Sequence, residues 1–449
     1  MNNETVNVRP SALLAFRAGN ARSFRDEFVF SLEATALSEP AYVREVPWRE
    51  GGSPMRVLPA AGFFGANASG KSNVLEAMDD MRRHVLHSFR SGAPGSGMPH
   101  WPFRLNPQSV QQPTTFEVTF IHDGVLHEYG FSHDSVRVFE EWAYYSPKGR
   151  SAMLFHREGD DVRLGPVERT RGRAARDLLR SNALFLSTAA AAGHPVLSQL
   201  YQWFAQNMRY VGAFSRPWRQ ALTAEMLDDS RHRHAVLGLL RSADLGIVGV
   251  NKNDVDPLVA ERMQRAVRIL AGTEDDSVSG LSLEIEELAT VNLLHEGTDG
   301  AVGFDDTDES AGTLVWFGLV GPLLQSLVAG TVLIVDELDA SLHPTLVQRL
   351  IRIYQEPHSN QHCAQLVFNS HDTTLMGDTA SERLLGRDQI WFTEKLNDGS
   401  SQLYPLADLS PRKHEVVSKR YLEGRYGARP ILMDGGFESA LDHLSIGAK

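Results

Sequence analysis

Three textures of apolar and polar positions run along this chain. Thr115-Phe116-Glu117-Val118-Thr119-Phe120-Ile121 alternates, His122-Asp123-Gly124-Val125 supplies a turn, and Leu126-His127-Glu128-Tyr129-Gly130-Phe131 alternates again. This pattern predicts a β-hairpin with one wetted face, and residues 136–165 continue as further short strands. Elsewhere the apolar residues run without a break: Arg56 to Phe64, Thr331 to Val335, Gln365 to Phe368 and Gln389 to Thr393. Such runs suit strands covered on both faces, as in a parallel sheet. Residues 166–300 read as mainly helical. They hold no sustained heptad, so a compact helical lid is expected there in place of a long coiled-coil arm.

Leu314 to Val335 is nearly all apolar and long enough to cross a membrane. Gly321-Pro322 and Ala329-Gly330 interrupt it, and it runs straight into Asp336-Glu337. The expectation is therefore a buried helix followed by a buried central strand, with no membrane span.

The chemistry gathers at the ends of the predicted strands. Gly65-Ala66-Asn67-Ala68-Ser69-Gly70-Lys71-Ser72 fits the pattern G-x-x-x-x-G-K-[ST] at every fixed position. An apolar run precedes it, and Asn73-Val74-Leu75-Glu76-Ala77-Met78 opens a helix after it. Glycines let the backbone wrap a polyphosphate, and the N–H groups at a helix start point at its oxygens. In such a loop Lys71 reaches the β- and γ-phosphates and the Ser72 hydroxyl ligates Mg²⁺.

A second set of residues follows the run Thr331 to Val335. Asp336 is placed to hold Mg²⁺ through water, and Glu337 to polarise an attacking water. Asp339-Ala340-Ser341-Leu342-His343-Pro344 comes directly after them. Asn369-Ser370-His371-Asp372 sets a histidine at the carboxyl end of another strand, and Glu309-Ser310-Ala311-Gly312-Thr313 precedes the long apolar helix. Taken alone, His371 reads as a surface or core residue, and Ser310 as a simple helix cap.

Composition narrows the classes without choosing a function. The chain has 449 residues, 42% hydrophobic and 22% charged, which is ordinary for a soluble globular protein of two or three domains. A net charge of −12 argues against an overall nucleic-acid coat. The single cysteine, Cys363, excludes an internal disulfide framework and is expected in a buried strand. Met1-Asn2-Asn3-Glu4 lacks the apolar core of a signal peptide, so a cytoplasmic location is expected.

Jointly, these motifs resemble the ATPase head of the ABC superfamily in its soluble SMC-like, RecF-like and OLD-like branch. The wording is similar to that of the bacterial ABC-type AAA ATPases of the AAA_15 and AAA_21 groups. Asn20-Ala21-Arg22-Ser23-Phe24 resembles their N-x-R-S-F, and Gly65 to Asn73 their G-x-N-x-x-G-K-S-N. Glu309 to Thr313 resembles their shortened signature, Leu333 to Pro344 their second acidic motif, and Ser370-His371 their switch histidine. The similarity covers about residues 10–150 and 300–410.

The resemblance implies an α/β P-loop fold with a mixed core sheet, an antiparallel β-subdomain and a helical insertion. On it, residues 1–165 form the first half of the head, 166–300 the insertion, 301–410 the second half and 411–449 a basic tail. It also implies that two heads sandwich ATP and Mg²⁺. Gly65, Asn67, Ser69, Gly70, Lys71, Ser72, Asn73, Asp336, Glu337, Asp339 and His371 of one head would meet Ser310 and Gly312 of another. Lys71, Glu337 and His371 would carry the catalysis, with Ser72 and Asp336 toward the metal. Relatives of this kind commonly sit in bacterial anti-phage systems beside a nuclease or toxin. The implied function is thus a homo-oligomeric ATP switch controlling a separate effector.

Two alternatives remain on the sequence: a RecF- or SMC-like ATPase that binds duplex DNA, and a scaffold that ATP merely cements. The cluster Arg169, Arg171, Arg173, Arg176 and Arg180 suits a nucleic-acid backbone, an acidic partner or a solvated helix face. Arg412, Lys413, Lys419, Arg420, Arg425 and Arg429 form a second basic stretch. Gln108, Gln111 and Gln112 are candidates for the glutamine that such heads use to sense Mg²⁺, and Arg22 for a base or phosphate contact. Too few residues follow His371 for an appended nuclease domain, and Asp434 and Glu438 make no convincing metal set.

Overall fold

The computed structural model describes residues 11–36, 38–49, 51–91, 93–166, 172–212, 215–253, 290–377, 383–412 and 415–430. Among them, an antiparallel sheet collects β1 (Ala12–Gly19), β2 (Phe28–Ser31), β6 (Thr114–His122), β7 (Val125–His133), β8 (Val138–Ser146), β9 (Ala152–Glu158) and β10 (Asp161–Leu164). The order is β10-β9-β8-β7-β6-β1-β2. The predicted hairpin is β6–β7, and Asp123 and Gly124 turn it with φ of 52° and 74°. Two left-handed residues in succession match the twist that a tight hairpin needs.

The second sheet is mixed. It holds β5 (Ala60–Gly65), β11 (Met208–Val211), β15 (Val332–Val335), β16 (Gln365–Asn369), β17 (Ile390–Lys395) and β18 (Ser401–Pro405). Its order is β11-β15-β16-β5-β17-β18, parallel throughout except for the β17–β18 hairpin. The apolar run before the phosphate loop is split. Residues β3 (Arg44–Val46) and β4 (Met55–Val57) form a separate pair, and Pro59 precedes β5.

Helix α1 (Lys71–Ser91) lies between the two sheets. Val74, Leu75, Met78, Met81 and Val85 share a core with Phe16, Phe116 and Phe131 of the antiparallel sheet. Ala61, Phe63, Ile334 and Val367 of the mixed sheet close the same core from the other side. Residues of opposite parity on those strands, Phe64, Leu333, Val335 and Phe368, face a second core. Both faces of the central strands are thus apolar, which explains the unbroken runs in the sequence. Gln365 ties the two sheets together: its buried amide binds the N–H and C=O of Leu13 at 2.7 and 3.0 Å.

After a one-turn helix α2 (Pro107–Val110), the helices of the middle region are α3 (Arg173–Asp177), α4 (Phe185–Ala191), α5 (Pro195–Asn207), α6 (Arg216–Glu225) and α7 (Ser230–Ser242). Helices predominate in the described part of 166–300, but that part is tied into the head. Strand β11 joins the core sheet beside β15, and α4 and α5 pack on α1. Glu141 anchors α4 from within β8, accepting hydrogen bonds from the N–H groups of Phe185 and Leu186 and from Tyr129. Beyond α7, β12 (Ile247–Asn253), β13 (Thr290–Gly297) and β14 (Gly300–Phe304) form a third, antiparallel sheet. Residues 254–289 of the expected insertion lie outside the described residues.

The apolar stretch Leu314 to Val335 is α8 (Ala311–Ala329) followed by β15. Trp316, Phe317, Leu319, Val320 and Leu323 of α8 are buried against the mixed sheet, together with α9 (Pro344–Gln355). Helix α10 (Val417–Leu422) closes the described chain, with Tyr421 stacked on Phe392 at 5.4 Å. Cys363 is not a strand residue: it precedes β16 in a left-handed turn, φ 58°, where burial pushes its thiol up to about 12.

Candidate functional site

The phosphate loop spans the end of β5 and the start of α1. Gly70 has φ 110°, and a Cβ there would stand 2.5 Å from the Ser401 hydroxyl. Only glycine meets both demands, because an L-residue is strained at that φ and the space is filled. The loop is braced from behind: Ser69 Oγ lies 2.6 Å from Thr393 Oγ1, and the Ser23 and Ser401 hydroxyls pair at 2.8 Å. Ser69 therefore turns its side chain toward β17, while its neighbours face the cleft.

That cleft measures about 540 Å³ and is lined by Asn67, Ala68, Gly70, Lys71, Ser72, Asn73, Glu337 and His371. Residues far apart in sequence converge there because β5, β15 and β16 lie side by side and parallel, so their carboxyl ends share one edge. The Lys71 ammonium donates to the carbonyls of Gly65 and Ala66, both at 2.9 Å. Burial lowers its pKa from 10.5 to about 8, and the nearby carboxylates of Asp339, Glu337 and Asp336 oppose that shift.

Behind the cleft is a contact network centred on Asn369, at the end of β16. Its Nδ2 donates to Asp336 Oδ1 at 2.6 Å and to Ser72 Oγ at 3.2 Å. Its Oδ1 accepts from the backbone N–H of Glu337, whose φ is 55°. Asp339 accepts from the N–H of His371 at 3.1 Å, which holds the loop after β15 against the loop after β16. Tyr210, at the end of β11, stands 3.5 Å from Asp336 Oδ2.

Ser310 and Gly312 do not line this cleft. Ser310 caps α8, accepting from the Thr313 N–H at 3.1 Å, and Gly312 rests against Ser341. Glu309, just before them, is tied to β13, where its carboxylate takes the His295 ring at 2.7 Å.

Several expected contacts fall elsewhere. Arg22 is not poised toward a base or phosphate: its guanidinium forks onto Asp80 at 2.6 and 2.8 Å and also binds Glu76, both on α1. Gln108, Gln111 and Gln112 are exposed in and after α2, away from the cleft. Of the arginine cluster, Arg169 and Arg171 lie outside the described residues, and Arg180 turns inward onto the Phe89 ring and carbonyl. In the second basic stretch, Arg420 pairs with Glu415 and Glu423. Lys413, Asp434 and Glu438 lie outside the described residues.

Sequence reasoning missed Asn369, Thr393 and Tyr210. Asn369 was in view beside His371, but nothing local distinguishes it. Its partners are 33 and 297 positions away.

The donor set fits a nucleotide with Mg²⁺. Backbone N–H groups at the start of a 21-residue helix and one buried ammonium face the cleft, which suits a polyphosphate. A hydroxyl and a carboxylate, Ser72 and Asp336, are the hard oxygen donors that Mg²⁺ prefers.

A mixed sheet with a phosphate loop at the end of an interior strand, β5, and an acidic pair at the end of β15, two strands away across β16, defines a P-loop ATPase head. The family comparison agrees. Residues 61–377 match the family AAA_21, described as "AAA domain, putative AbiEii toxin, Type IV TA system", and the chain belongs to that family. Membership implies ATP, and typically Mg²⁺, as ligands. No curated protein matches the chain.

Among solved structures, it is similar to the SMC head domain from Thermotoga maritima, with 13% identity, 88% of this chain and 98% of that chain covered and a TM-score of 0.36. It is also similar to an SmcHead bound to the C-winged helix domain of ScpA, with 13% identity, 88% and 97% coverage and a TM-score of 0.43. A third is an Smc head with an extended coiled coil, bound to the C-terminal domain of ScpA derived from Pyrococcus furiosus. There the identity is 12%, the coverage 89% and 98%, and the TM-score 0.36.

Proposed function

We propose that this protein is an ATP-hydrolysing switch. Two copies close around ATP, and the closed form acts on a separate effector in bacterial anti-phage defence. The observation that carries this reading is the meeting of Lys71, Ser72, Glu337 and His371 around one cleft while Ser310 and Gly312 stay outside it. A nucleotide bound by Lys71 and Ser72 can then meet the α8 N-terminus only of a second copy. That terminus offers N–H groups and the positive end of a helix dipole to the γ-phosphate.

In the chemical step Glu337 polarises a water for attack on the γ-phosphorus, and the bond to the bridging oxygen of ADP breaks. Lys71 balances charge on the transferring group, and His371 contacts it from the β16 side. Mg²⁺, held by Ser72 and Asp336, would supply further charge neutralisation. Loss of the γ-phosphate removes the link between the copies, so hydrolysis reopens the clamp. The family's description names a toxin and a toxin–antitoxin system, which supports an effector-linked role. Of the five arginines of that cluster, Arg180 turns inward and is unavailable to a DNA backbone.

The test is ATP turnover measured together with solution mass for the native chain, Lys71→Ala and Glu337→Gln. The expected result is turnover in the native chain, none in Lys71→Ala, and a doubled mass for Glu337→Gln with ATP. One unchanging mass and no turnover in all three would refute the switch.

A further inference from the structure

We propose that Asn369 is a latch that competes with Mg²⁺ for the gap between Ser72 and Asp336 and passes the outcome to Glu337. The inference rests on the ATP reading above and deepens it.

The orientation of the amide follows from its partners. Nδ2 faces the Asp336 carboxylate at 2.6 Å and the Ser72 hydroxyl at 3.2 Å, while Oδ1 faces the Glu337 N–H. Turning the amide over would set oxygen against carboxylate and NH₂ against N–H, so only one orientation satisfies all three groups. Asn369 is 1% exposed and the strand fixes its backbone, whose carbonyl accepts from the Leu338 N–H at 3.1 Å.

An amide NH₂ has no lone pair to offer a cation. Mg²⁺ demands oxygen ligands in a near-octahedral shell at about 2.0–2.1 Å. Ser72 and Asp336 therefore serve either the amide or the metal with its water shell. Asn369 must swing its NH₂ out of the gap when the metal is held. Because the amide is one rigid plane, that swing also carries Oδ1 away from the Glu337 N–H. Glu337 sits at φ 55°, a conformation that L-residues adopt only when their surroundings hold them. Occupancy at Ser72 and Asp336 is thereby felt at the backbone of the proposed general base. Serine or threonine at 369 is too short to bridge all three partners.

The test reads metal binding directly. Mn²⁺, the paramagnetic stand-in for Mg²⁺, is titrated by electron paramagnetic resonance into native protein, Asn369→Ala and Asn369→Ser. Each is saturated with a non-hydrolysable imido analogue of ATP, and analogue binding is first measured in EDTA and with Mg²⁺ present. The latch predicts half-saturation at about ten-fold lower Mn²⁺ in both variants, equivalent to about 1.4 kcal/mol. If either folded variant needs as much Mn²⁺ as the native chain, or more, Asn369 supports the metal site and the latch is refuted. If the native chain binds the analogue neither in EDTA nor with Mg²⁺ present, the ATP reading itself falls and takes the latch with it. The two failures are told apart at that first step.

Discussion

A Cβ on Gly312 would stand 2.6 Å from the carbonyl oxygen of Ser341, so the first turn of α8 rests directly on the loop that follows Asp336 and Glu337. The contact is with backbone and cannot be relieved by a side-chain rotation. Gly312→Ala must push the helix start and that loop apart. Nucleotide affinity of a single copy should stay within about two-fold, because neither residue lines the cleft. Turnover should fall by about ten- to a hundred-fold, the usual cost of a displacement near 1 Å in a reacting assembly. Paired binding and turnover measurements check this, and unchanged turnover would remove the coupling between α8 and the loop.

Thr223 repairs α8 where Pro322 interrupts it. Its hydroxyl accepts from the Gly321 N–H at 3.0 Å and points to the Phe317 carbonyl at 2.8 Å, so it stands inside an i to i+4 step of the helix ladder. Thr223 is fully buried. Thr223→Val keeps the volume and leaves both backbone groups without their partner. The expected loss is about 2–3 kcal/mol, read from denaturant unfolding of the native chain and the variant. A loss below about 0.5 kcal/mol would mean that the ladder recloses by itself.

Lys71 gives the site a pH dependence. Its pKa is lowered to about 8 from 10.5, so between those values the unfolded chain binds more protons than the folded one. The cost of burying the charged ammonium is fully present below about pH 8 and is relieved as the pH rises toward 10.5. Lys71→Met lacks that cost, so its thermal stability relative to the native chain should decline from pH 7.5 to pH 10. ATP affinity of the native chain should weaken above about pH 8, because the polyphosphate requires the ammonium form. Melting curves and nucleotide titrations across this range decide both points; a flat difference would contradict the lowered pKa.

The contrast between these residues shows what the sequence carries. Lys71, Ser72, Asp336 and Glu337 lie in contiguous motifs, because a loop that wraps a phosphate and a strand that ends in acids are both local objects. Strand β11 was hidden within a region that reads as helical. Met208-Arg209-Tyr210-Val211 is only four residues long, too short to display a period, and it becomes a strand because β15 offers an edge beside it. Asn369 and Thr223 were legible as residues but not as roles. A buried polar side chain acquires its meaning from partners that the topology delivers, and the partners of both lie distant in the chain.

Glu337 supplies the last prediction. Its φ of 55° lies in the left-handed region, where a non-glycine residue costs roughly 1–2 kcal/mol. Glycine escapes that cost but loses about 0.5–1 kcal/mol through the greater freedom of its unfolded chain. Two variants that both lack the carboxylate separate conformation from charge. Glu337→Gly should be more stable than Glu337→Ala by about 0.5–1 kcal/mol, the reverse of their order at an ordinary helical position. Neither should hydrolyse ATP. Chemical denaturation of the pair measures the difference. If alanine proves the more stable, the backbone at 337 is not held in the left-handed region, and Asn369 has no strained residue to hold.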